Sequence, residues 1–441
     1  MESINFNRYE ALQNKSYIRH LGRVTRVVGL TIESLGPKVR MGGLCEIHSG
    51  VGNSSVLAEV VGFKENRILL MPLGDLEGVG LGSTVEALGQ TLKVSVGDEL
   101  LGRVLDGLGK PIDDKEMLYT NTKYNIHSEP PDPLKRKRIK EPLPIGVKAV
   151  DGLLTIGKGQ RVGIFAGSGV GKSTLLGMIA RNTSADINVI ALIGERGREV
   201  KEFIERDLGK EGLKRSVVVV ATSDKPALVR QKAASTATAV AEYFRDKGKN
   251  VLLMMDSLTR FSMAQREIGL AIGEPPVSRG YTPSVFSVMP KLLERAGNAE
   301  KGSITGLYTV LVDGDDMNEP ITDTARGILD GHIVLSRKLA YKNHYPAIDI
   351  LQSVSRVMSE VTDDNHKDIA SHMKTVLATY RDAEDLINIG AYSKGSNEDI
   401  DYAISKIKSV NNYLQQKTNE KFNFQEEINM MEHIFNESSD K

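Results

Sequence analysis

The chain has 441 residues, a length that corresponds to about three domains. Its 40% hydrophobic and 26% charged residues are typical of a folded protein, and its 57 basic and 57 acidic residues cancel, so no overall positive field attracts nucleic acid or an anionic membrane. Cys45 is the single cysteine, which excludes an intrachain disulfide and a cysteine zinc cluster and favours a reducing, cytoplasmic compartment.

The N-terminal segment, residues 1–20, is interrupted by charged residues and does not resemble a secretory signal. Its apolar residues form a loose helical stripe, typical either of a partner-docking segment or of a frayed terminal helix. Further along, the most apolar stretches are residues 217–221 and 251–255, far shorter than the roughly 18 residues that span a bilayer. We therefore expect no membrane-spanning helix.

Residues 21–92 alternate short runs rich in Val, Ile and Leu with glycine turns, a pattern typical of a small β-barrel or sandwich. Residues 119–144 are instead polar and rich in proline, with a basic run at residues 135–138. Because no aromatic side chains are interleaved with these charges, we interpret the run as part of a solvated connector and not as a nucleic-acid site.

From residue 144 onward, strand-like apolar runs alternate with helical stretches, which predicts βαβ units and a mostly parallel sheet with helices on both faces. From about residue 357 the strands stop and polar sequence with a helical period takes over. We predict an α/β domain over residues 93–356 and a helical domain over residues 357–441. The strand-like runs are residues 159–165, 187–193, 216–221, 251–255 and 303–312.

A glycine-rich loop follows the first of these strands and opens a helix, the context that a phosphate-binding loop (P-loop) needs. Its glycines let backbone N–H groups face phosphate oxygens. Lys172 is expected on the β and γ phosphates of a nucleotide, and the Ser173 hydroxyl on Mg²⁺. Ala166 stands where the strict pattern has glycine, which leaves the phosphate-facing glycines intact. The residues predicted to bind the nucleotide here are Gly167, Ser168, Gly169, Val170, Gly171, Lys172, Ser173 and Thr174.

Two further strand-like runs end in acidic residues. Asp256 ends the run at residues 251–255, the place of a second carboxylate that holds Mg²⁺ directly or through water. Glu195 follows the run at residues 187–193, where ligands bind in open α/β sheets. We predict that Glu195 orients or deprotonates the attacking water, with Arg196 as a phosphate or charge partner.

With these residues in place, residues 143–358 resemble the catalytic domain of the hexameric ATPases related to the β subunit of the rotary ATP synthase. Within that superfamily, most of the chain is similar to the flagellar and type III secretion export ATPases. The resemblance implies an α/β, RecA-like P-loop ATPase core with an N-terminal β-barrel and a C-terminal helical domain. The motifs that carry it lie at residues 161–174, 194–196, 241–246, 274–276, 280–286, 329–337, 344–349 and 390–392.

The resemblance also implies roles for single residues. Arg260 matches a further arginine near the γ-phosphate, and Tyr345 matches an aromatic residue that packs on adenine. Arg356 matches the arginine finger that one subunit inserts into its neighbour's site, and Arg337 is the alternative finger. The resemblance implies the same roles as the P-loop and strand-end motifs for five residues: Lys172, Ser173, Glu195, Arg196 and Asp256.

The function implied is ATP hydrolysis that energises flagellar (type III) protein export, by a homohexameric ring with active sites at subunit interfaces. ATP and Mg²⁺ are the expected ligands. The implied partners are a stator-like regulatory protein, a coiled-coil stalk protein, export chaperones with their cargo and the membrane export gate, with no nucleic acid. The expected location is cytoplasmic, peripheral at the cytoplasmic face of the inner membrane.

Four other functions compete with this interpretation. A catalytic subunit of a proton-translocating ATP synthase is disfavoured because the C-terminal region lacks an acidic motif resembling Asp-Glu-Leu-Ser-Glu-Glu-Asp. A hexameric RNA translocase fits poorly with zero net charge and 5% aromatic residues. A non-catalytic nucleotide-binding subunit is disfavoured by Glu195, which such relatives replace. A virulence-type secretion ATPase stays open beside the flagellar one.

Overall fold

The computed structural model describes residues 18–49, 54–312, 314 and 316–436. The chain divides into two compact units, residues 1–92 with 268–274 and residues 93–267 with 275–441. Residues 1–17, most of the candidate partner-docking segment, lie outside the described residues. No helix within the described ranges is long and apolar enough to cross a membrane.

The first unit contains a closed antiparallel β-barrel. In the described part of this unit, the strands are β1 Leu21–Val28, β2 Thr31–Leu35, β3 Gly43–His48, β4 Ser55–Lys64, β5 Arg67–Pro72 and β6 Thr84–Thr91. They pair in the order β1, β2, β5, β4, β3, β6, and β6 returns to β1. Side chains alternate along each strand, so Ile68 and Leu70 both point into the core, where Cys45 is also buried. Burial raises the pKa of the Cys45 thiol to about 11, which keeps it protonated and unreactive.

The second unit is built on a mostly parallel sheet. Among the described residues its strands are β7 Lys93–Val96, β8 Val104–Asp106, β9 Thr122–Asn125, β10 Arg161–Ala166, β11 Ile187–Ile193, β12 Ser216–Ala221, β13 Asn250–Asp256, β14 Gly297–Asn298, β15 Ser303–Leu311, β16 Gly331–Leu335 and β17 Ile348–Ser355. The main order is β17, β16, β10, β15, β13, β11, β12, β8. Only the edge strand β17 runs antiparallel along this path, while β14 pairs antiparallel with β15 and β7 pairs with β9. Every residue of β11 is buried, as expected for a strand covered on both faces.

Helices alternate with these strands and then continue alone to the end of the described chain. They are α1 Lys148–Leu153, α2 Lys172–Asn182, α3 Gly197–Glu202, α4 Gly209–Lys214, α5 Ala227–Asp246, α6 Leu258–Ile272, α7 Pro283–Leu293, α8 Pro320–Ile328, α9 Arg337–Tyr341, α10 Met358–Val361, α11 Asp364–Asn388, α12 Glu398–Leu414 and α13 Phe424–Asn436. Side-chain caps from Asp363 and Asn397 begin α11 and α12. The succession of barrel, α/β sheet and helices confirms the predicted fold class.

The structure differs from the sequence analysis in the connector at residues 119–144. The short strand β9 lies inside it, and four residues are too few to show a clear period in the sequence. Within the basic run, Arg136 is only partly exposed, and its guanidinium donates to the carbonyl oxygens of Ala296, at 2.7 Å, and Glu294. The description of this run as solvated therefore fails at Arg136.

Arg295 and Glu242 form a buried ion pair, only 4% and 2% exposed, with two N–O distances of 2.8 and 2.7 Å. Replacing Arg295 with methionine leaves the Glu242 charge buried and unpaired, so we expect the free energy of unfolding to fall by about 3–5 kcal/mol. In the control, Arg198→Met breaks the exposed pair with Glu202 and is expected to change it by at most about 0.5 kcal/mol. Urea denaturation measures both variants, and equal effects would contradict the expectation.

Candidate active site

The P-loop lies between β10 and α2, as predicted. Gly169 and Gly171 have φ angles of 78° and 88°, in the left-handed region that favours glycine. Gly167 meets a different constraint, because a Cβ atom there would lie 2.6 Å from a guanidinium nitrogen of Arg337. Glycine therefore permits the left-handed backbone at positions 169 and 171 and the close approach at position 167, which leaves the loop N–H groups free to face a phosphate group.

Three charged side chains meet at the start of α2. Lys172 Nζ lies 2.5 Å from Asp256 Oδ1 and 3.6 Å from Glu195 Oε1. Asp256 ends β13 and Glu195 follows β11, and these two strands are neighbours in the sheet. Thr309 on β15 donates a hydrogen bond of 2.7 Å to Asp256 Oδ1 and fixes that carboxylate. The order of the strands thus brings together residues that are far apart in the sequence.

The electrostatics of this cluster suit proton transfer and phosphate binding. Burial, followed by the Asp256 charge, raises the pKa of Glu195 to about 7 against the opposing effect of Lys172. A carboxyl group that titrates near neutrality can accept a proton from water. Burial by itself lowers the pKa of Lys172, but the charges of Asp256 and Glu195 outweigh it and raise that pKa above its usual value. Lys172 therefore carries a fixed positive charge.

The two predicted arginines near the cluster differ in position. Arg260, at the start of α6, packs against Gly194, where a Cβ atom would lie 2.9 Å from the arginine's own Cβ. Its Nε is buried and has no hydrogen-bond partner among the described residues, a donor that an anionic group would satisfy. Arg196 instead has an 82% exposed side chain that pairs with Glu199 at 3.5 Å. The Arg196 side chain therefore lies at the surface, whereas that of Lys172 is 14% exposed.

A cleft of about 490 Å³ joins the P-loop to Glu195 and Arg260. The Ser173 hydroxyl and the Asp256 carboxylate offer oxygen donors, the ligands that Mg²⁺ prefers. No group of three His, Cys, Asp or Glu residues that could hold a metal occurs in the described part of the chain. The pair of oxygen donors from Ser173 and Asp256 fits Mg²⁺, which takes one or two protein oxygens and completes its coordination with substrate phosphates and water.

A larger cavity of about 930 Å³ adjoins the other side of the P-loop and is lined by Gly171, Tyr345 and Phe422. Tyr345 is 42% exposed, so its ring is available to stack on a planar group. Phe422 and Gln416, which also lines this cavity, were missed by the sequence analysis. The only signal for them was an aromatic residue in a polar stretch between two helices, and nothing local links that stretch to the P-loop.

The two candidate arginine fingers lie at opposite edges of the sheet. Arg356 follows β17, and the last residue of β17, Ser355, pairs with Gly331 at the start of β16. Arg356 therefore lies at the amino-terminal end of the parallel strands, and the P-loop lies at their carboxyl end. Its side chain is exposed. Arg337 lies at the P-loop edge, against Gly167 of its own chain. Within one subunit, therefore, Arg356 is remote from the cleft.

Three parts of the chain match known families. Residues 24–89 match the beta-barrel domain of the ATP synthase alpha/beta family, and residues 146–355 match its nucleotide-binding domain. Residues 362–433 match the T3SS EscN ATPase C-terminal domain.

Individual relatives match nearly the whole chain. The flagellum-specific ATP synthase of Bacillus subtilis (strain 168) is 59% identical over 414 residues, 94% of each chain. The type 3 secretion system ATPase of Xanthomonas euvesicatoria is 53% identical over 91% of each chain.

Solved structures agree with this assignment. The assembled ATPase EscN from the type III secretion system of enteropathogenic E. coli matches with a TM-score of 0.89 and 50% identity, over 94% of this chain and 99% of the EscN chain. EscN in complex with its central stalk EscO matches with a TM-score of 0.87, at the same identity and coverage. The chain therefore belongs to the ATP synthase alpha/beta family and, within it, to the flagellar and type III secretion ATPases.

Proposed function

We propose that this chain hydrolyses ATP to energise flagellar (type III) protein export, as a homohexameric ring with active sites between subunits. The observation that carries the proposal is the cluster of Lys172, Glu195 and Asp256 at the carboxyl edge of the sheet, with Arg356 at the opposite edge. Open α/β sheets bind ligands at the carboxyl ends of their strands. An arginine at the other edge completes such a site only from a neighbouring subunit.

ATP binds across the two adjoining cavities. Its adenine stacks beside Tyr345 and Phe422, and its triphosphate follows the P-loop until the γ-phosphate reaches Lys172. The buried, unpartnered Nε of Arg260 provides a further donor beside Glu195. Ser173 and Asp256 would hold Mg²⁺, which when bound neutralises charge on the β and γ phosphates.

Hydrolysis follows from the same groups. Glu195 orients a water molecule for in-line attack on the γ-phosphorus and accepts its proton. A bond forms between the water oxygen and phosphorus while the bond to the β–γ bridging oxygen breaks, which releases ADP and phosphate. Lys172 and Arg356 of the neighbouring subunit offset the charge that develops in the transition state. Arg196 lies at the rim, where it can contact a neighbouring subunit.

The relatives support an oligomeric assembly and a stalk partner. EscN is described as an assembled ATPase and in complex with the central stalk EscO, so we infer a homo-oligomeric ring and a coiled-coil stalk partner for this chain. A stator-like regulatory protein at residues 1–20, export chaperones with cargo and the membrane export gate complete the proposed set. The proposed location is the cytoplasm, peripheral to the inner membrane.

Flagellar export is preferred to virulence-type secretion because the Bacillus subtilis flagellar relative is 59% identical, against 53% for the Xanthomonas secretion ATPase. Virulence-type secretion is the second candidate, supported by the EscN match at 50% identity.

The proposal is tested in flagellated bacterial cells from which the gene for this ATPase has been deleted. The natural chain is expected to restore export of flagellar proteins. Lys172→Ala is expected to fail, because losing the phosphate-binding charge lowers ATP hydrolysis by about 10²–10³-fold. Lys201→Ala, whose side chain is 76% exposed, is the matched control and is expected to export normally. Export by Lys172→Ala, or a hydrolysing natural chain that restores no flagellar export, would contradict the proposal.

A further inference from the structure

Two buried carboxyl groups face each other where the last helix packs against the start of the nucleotide-binding region. Asp151 lies on α1 and Glu427 on α13, each is 0% exposed, and their side chains lie within hydrogen-bonding range of one another. Two adjacent carboxyl groups removed from water cannot both be ionised. The pair therefore holds a proton at neutral pH.

The surroundings show which carboxyl group holds it. The Asp151 oxygens accept backbone N–H bonds from Ile145 at 3.0 Å, Gly146 at 2.6 Å and Val147 at 3.3 Å, and these bonds stabilise the ionised form. Neither oxygen of Glu427 has a donor among the described residues. Glu427 is therefore the neutral acid, and its O–H can donate to Asp151. Burial and the Asp151 charge raise the pKa of Glu427 far above its ordinary value, against the opposing charge of Lys148.

One cation, Lys148, acts on Glu427, and its charge lowers the pKa of that carboxyl group less than burial and the Asp151 charge raise it. Lys148 on α1 forms no ion pair within the described residues, and its ammonium lies 5.5 and 4.9 Å from the ring centroids of Tyr413 on α12 and Phe422. On α11, His366 Nε2 donates to the Gly152 carbonyl at 2.7 Å and not to a carboxylate. Of the other charged groups, Glu420 acts on Lys148 and Glu426 on Glu427, while Asp363 and Lys374 act on His366.

The helices around the pair are in close contact. A Cβ atom at Gly152 of α1 would lie 2.3 Å from Tyr413 Oη on α12 and 2.6 Å from Met431 Sδ on α13. In addition, Tyr413 Oη donates to the Lys148 carbonyl at 3.1 Å. Because α13 is packed this tightly, it cannot slide to reduce the repulsion between an ionised Glu427 and Asp151. Loss of the proton therefore favours opening of α13, which means its separation from α1.

The segment between α12 and α13 connects this pair to the large cavity. The Gln416 side chain donates to the Gly146 carbonyl at 3.1 Å and accepts from the Lys148 N–H at 2.9 Å. Its backbone N–H donates to the Tyr345 carbonyl at 3.0 Å. Phe422, two residues before α13, lines the same cavity. Docking of α13 therefore sets the position of one cavity wall.

We propose that Glu427, as a neutral acid hydrogen-bonded to Asp151, is a positioning residue that fastens α13 and the preceding cavity wall for nucleotide binding. The role in nucleotide binding rests on the proposed function, in which the large cavity holds the adenine. The proton shared by Asp151 and Glu427 does not depend on that function. Glu427 ionises at an ordinary pKa near 4.5 once α13 opens, whereas burial and the Asp151 charge hold that pKa well above its ordinary value while α13 is docked. Opening therefore releases one proton, and its equilibrium constant rises about tenfold per pH unit between the open-state and docked-state pKa values of Glu427.

Hydrogen exchange of the full chain tests this, read from peptides covering residues 424–436 at pH 6.5, 7.5 and 8.5. After correction for intrinsic exchange, protection in the natural chain is expected to fall about tenfold per pH unit. In Glu427→Gln the amide donates permanently to Asp151, so protection is expected to stay constant with pH. Glu426→Gln, which removes a charge from an exposed position on the same helix, is expected to keep the natural slope.

Two results would contradict a proton shared by Asp151 and Glu427. If Glu427 were ionised as the counter-ion of Lys148, Glu427→Gln would lower protection at pH 7.5, and the natural chain would show no slope. Either observation overturns the shared proton. Fluorescence thermal melting at the same pH values shows whether each variant is folded, and Glu427→Met, without a carboxyl group, is also expected to lack the slope.

ADP then tests the link to the cavity. At about 100 times its dissociation constant, ADP is expected to raise protection of residues 424–436 about 100-fold at pH 8.5. Protection of residues 172–182 by ADP without protection of residues 424–436 would overturn the positioning role. Failure of ADP to protect either segment would instead overturn the proposed nucleotide site, while the pH slope separately decides the shared proton.

Discussion

Replacing Glu195 with glutamine is expected to lower kcat for ATP hydrolysis by about 10²–10⁴-fold, the usual contribution of a positioned acid or base. Glutamine keeps the shape of the side chain but cannot take a proton from water. Lys172 keeps its 2.5 Å contact with Asp256 in the variant, so ATP affinity is expected to change little. A fall in kcat and kcat/KM by the same factor would mark a group used only in the transition state.

The control for this experiment is Glu202→Gln, on the short helix that follows the Glu195 turn. Glu202 is paired with Arg198 at 2.8 Å on the exposed side of that helix, so its loss is expected to leave turnover unchanged. Steady-state phosphate release, together with ADP binding, measures both variants. Full turnover by Glu195→Gln would remove this residue from the mechanism.

Replacing Arg356 with alanine is expected to lower kcat by about 10³–10⁵-fold, the range typical of an arginine finger. The magnitude follows from position, because Arg356 lies across the sheet from its own P-loop and, in the proposed ring, would complete a neighbouring subunit's site. Loss of the finger removes a charge that acts on the transferring phosphoryl group, so turnover falls more than nucleotide affinity.

Arg326→Ala provides the matched control, because Arg326 and Arg356 both lie close enough to His332 for their charges to lower its pKa, in addition to the larger effect of burial. The Arg326 guanidinium is paired with Asp323 on its own helix at 3.1 Å, and its loss is expected to have little effect on turnover. A large effect in both variants would point to damage of the whole edge, and a large effect of Arg337→Ala alone would transfer the finger role to Arg337.

The P-loop, Asp256 and Glu195 could be predicted from the sequence because each follows an apolar strand directly, and the carboxyl ends of neighbouring parallel strands meet at one edge. The edge strand β17 could not be predicted in the same way, because its antiparallel direction depends on pairing with β16. That direction alone places Arg356 opposite the P-loop.

Other features depend on tertiary packing and leave little local trace. Arg136 reads as one of four adjacent basic residues, and only the fold brings it to the carbonyl of Ala296. Glu427 sits among ordinary polar residues of a helix, yet it is fully buried against Asp151, which lies far earlier in the chain. Phe422 likewise becomes part of a cavity only when α13 docks.

Mixing two inactive variants tests most directly whether the active sites are shared between subunits. Lys172→Ala and Arg356→Ala are each expected to be inactive alone, while an equal mixture regains on the order of a quarter of the natural activity, because one interface in four joins an intact P-loop to an intact finger. The activity is measured as phosphate release across a range of protein concentrations. No recovery in a mixture shown to assemble, or turnover by Arg356→Ala alone that is independent of concentration, would contradict sites shared by neighbouring subunits.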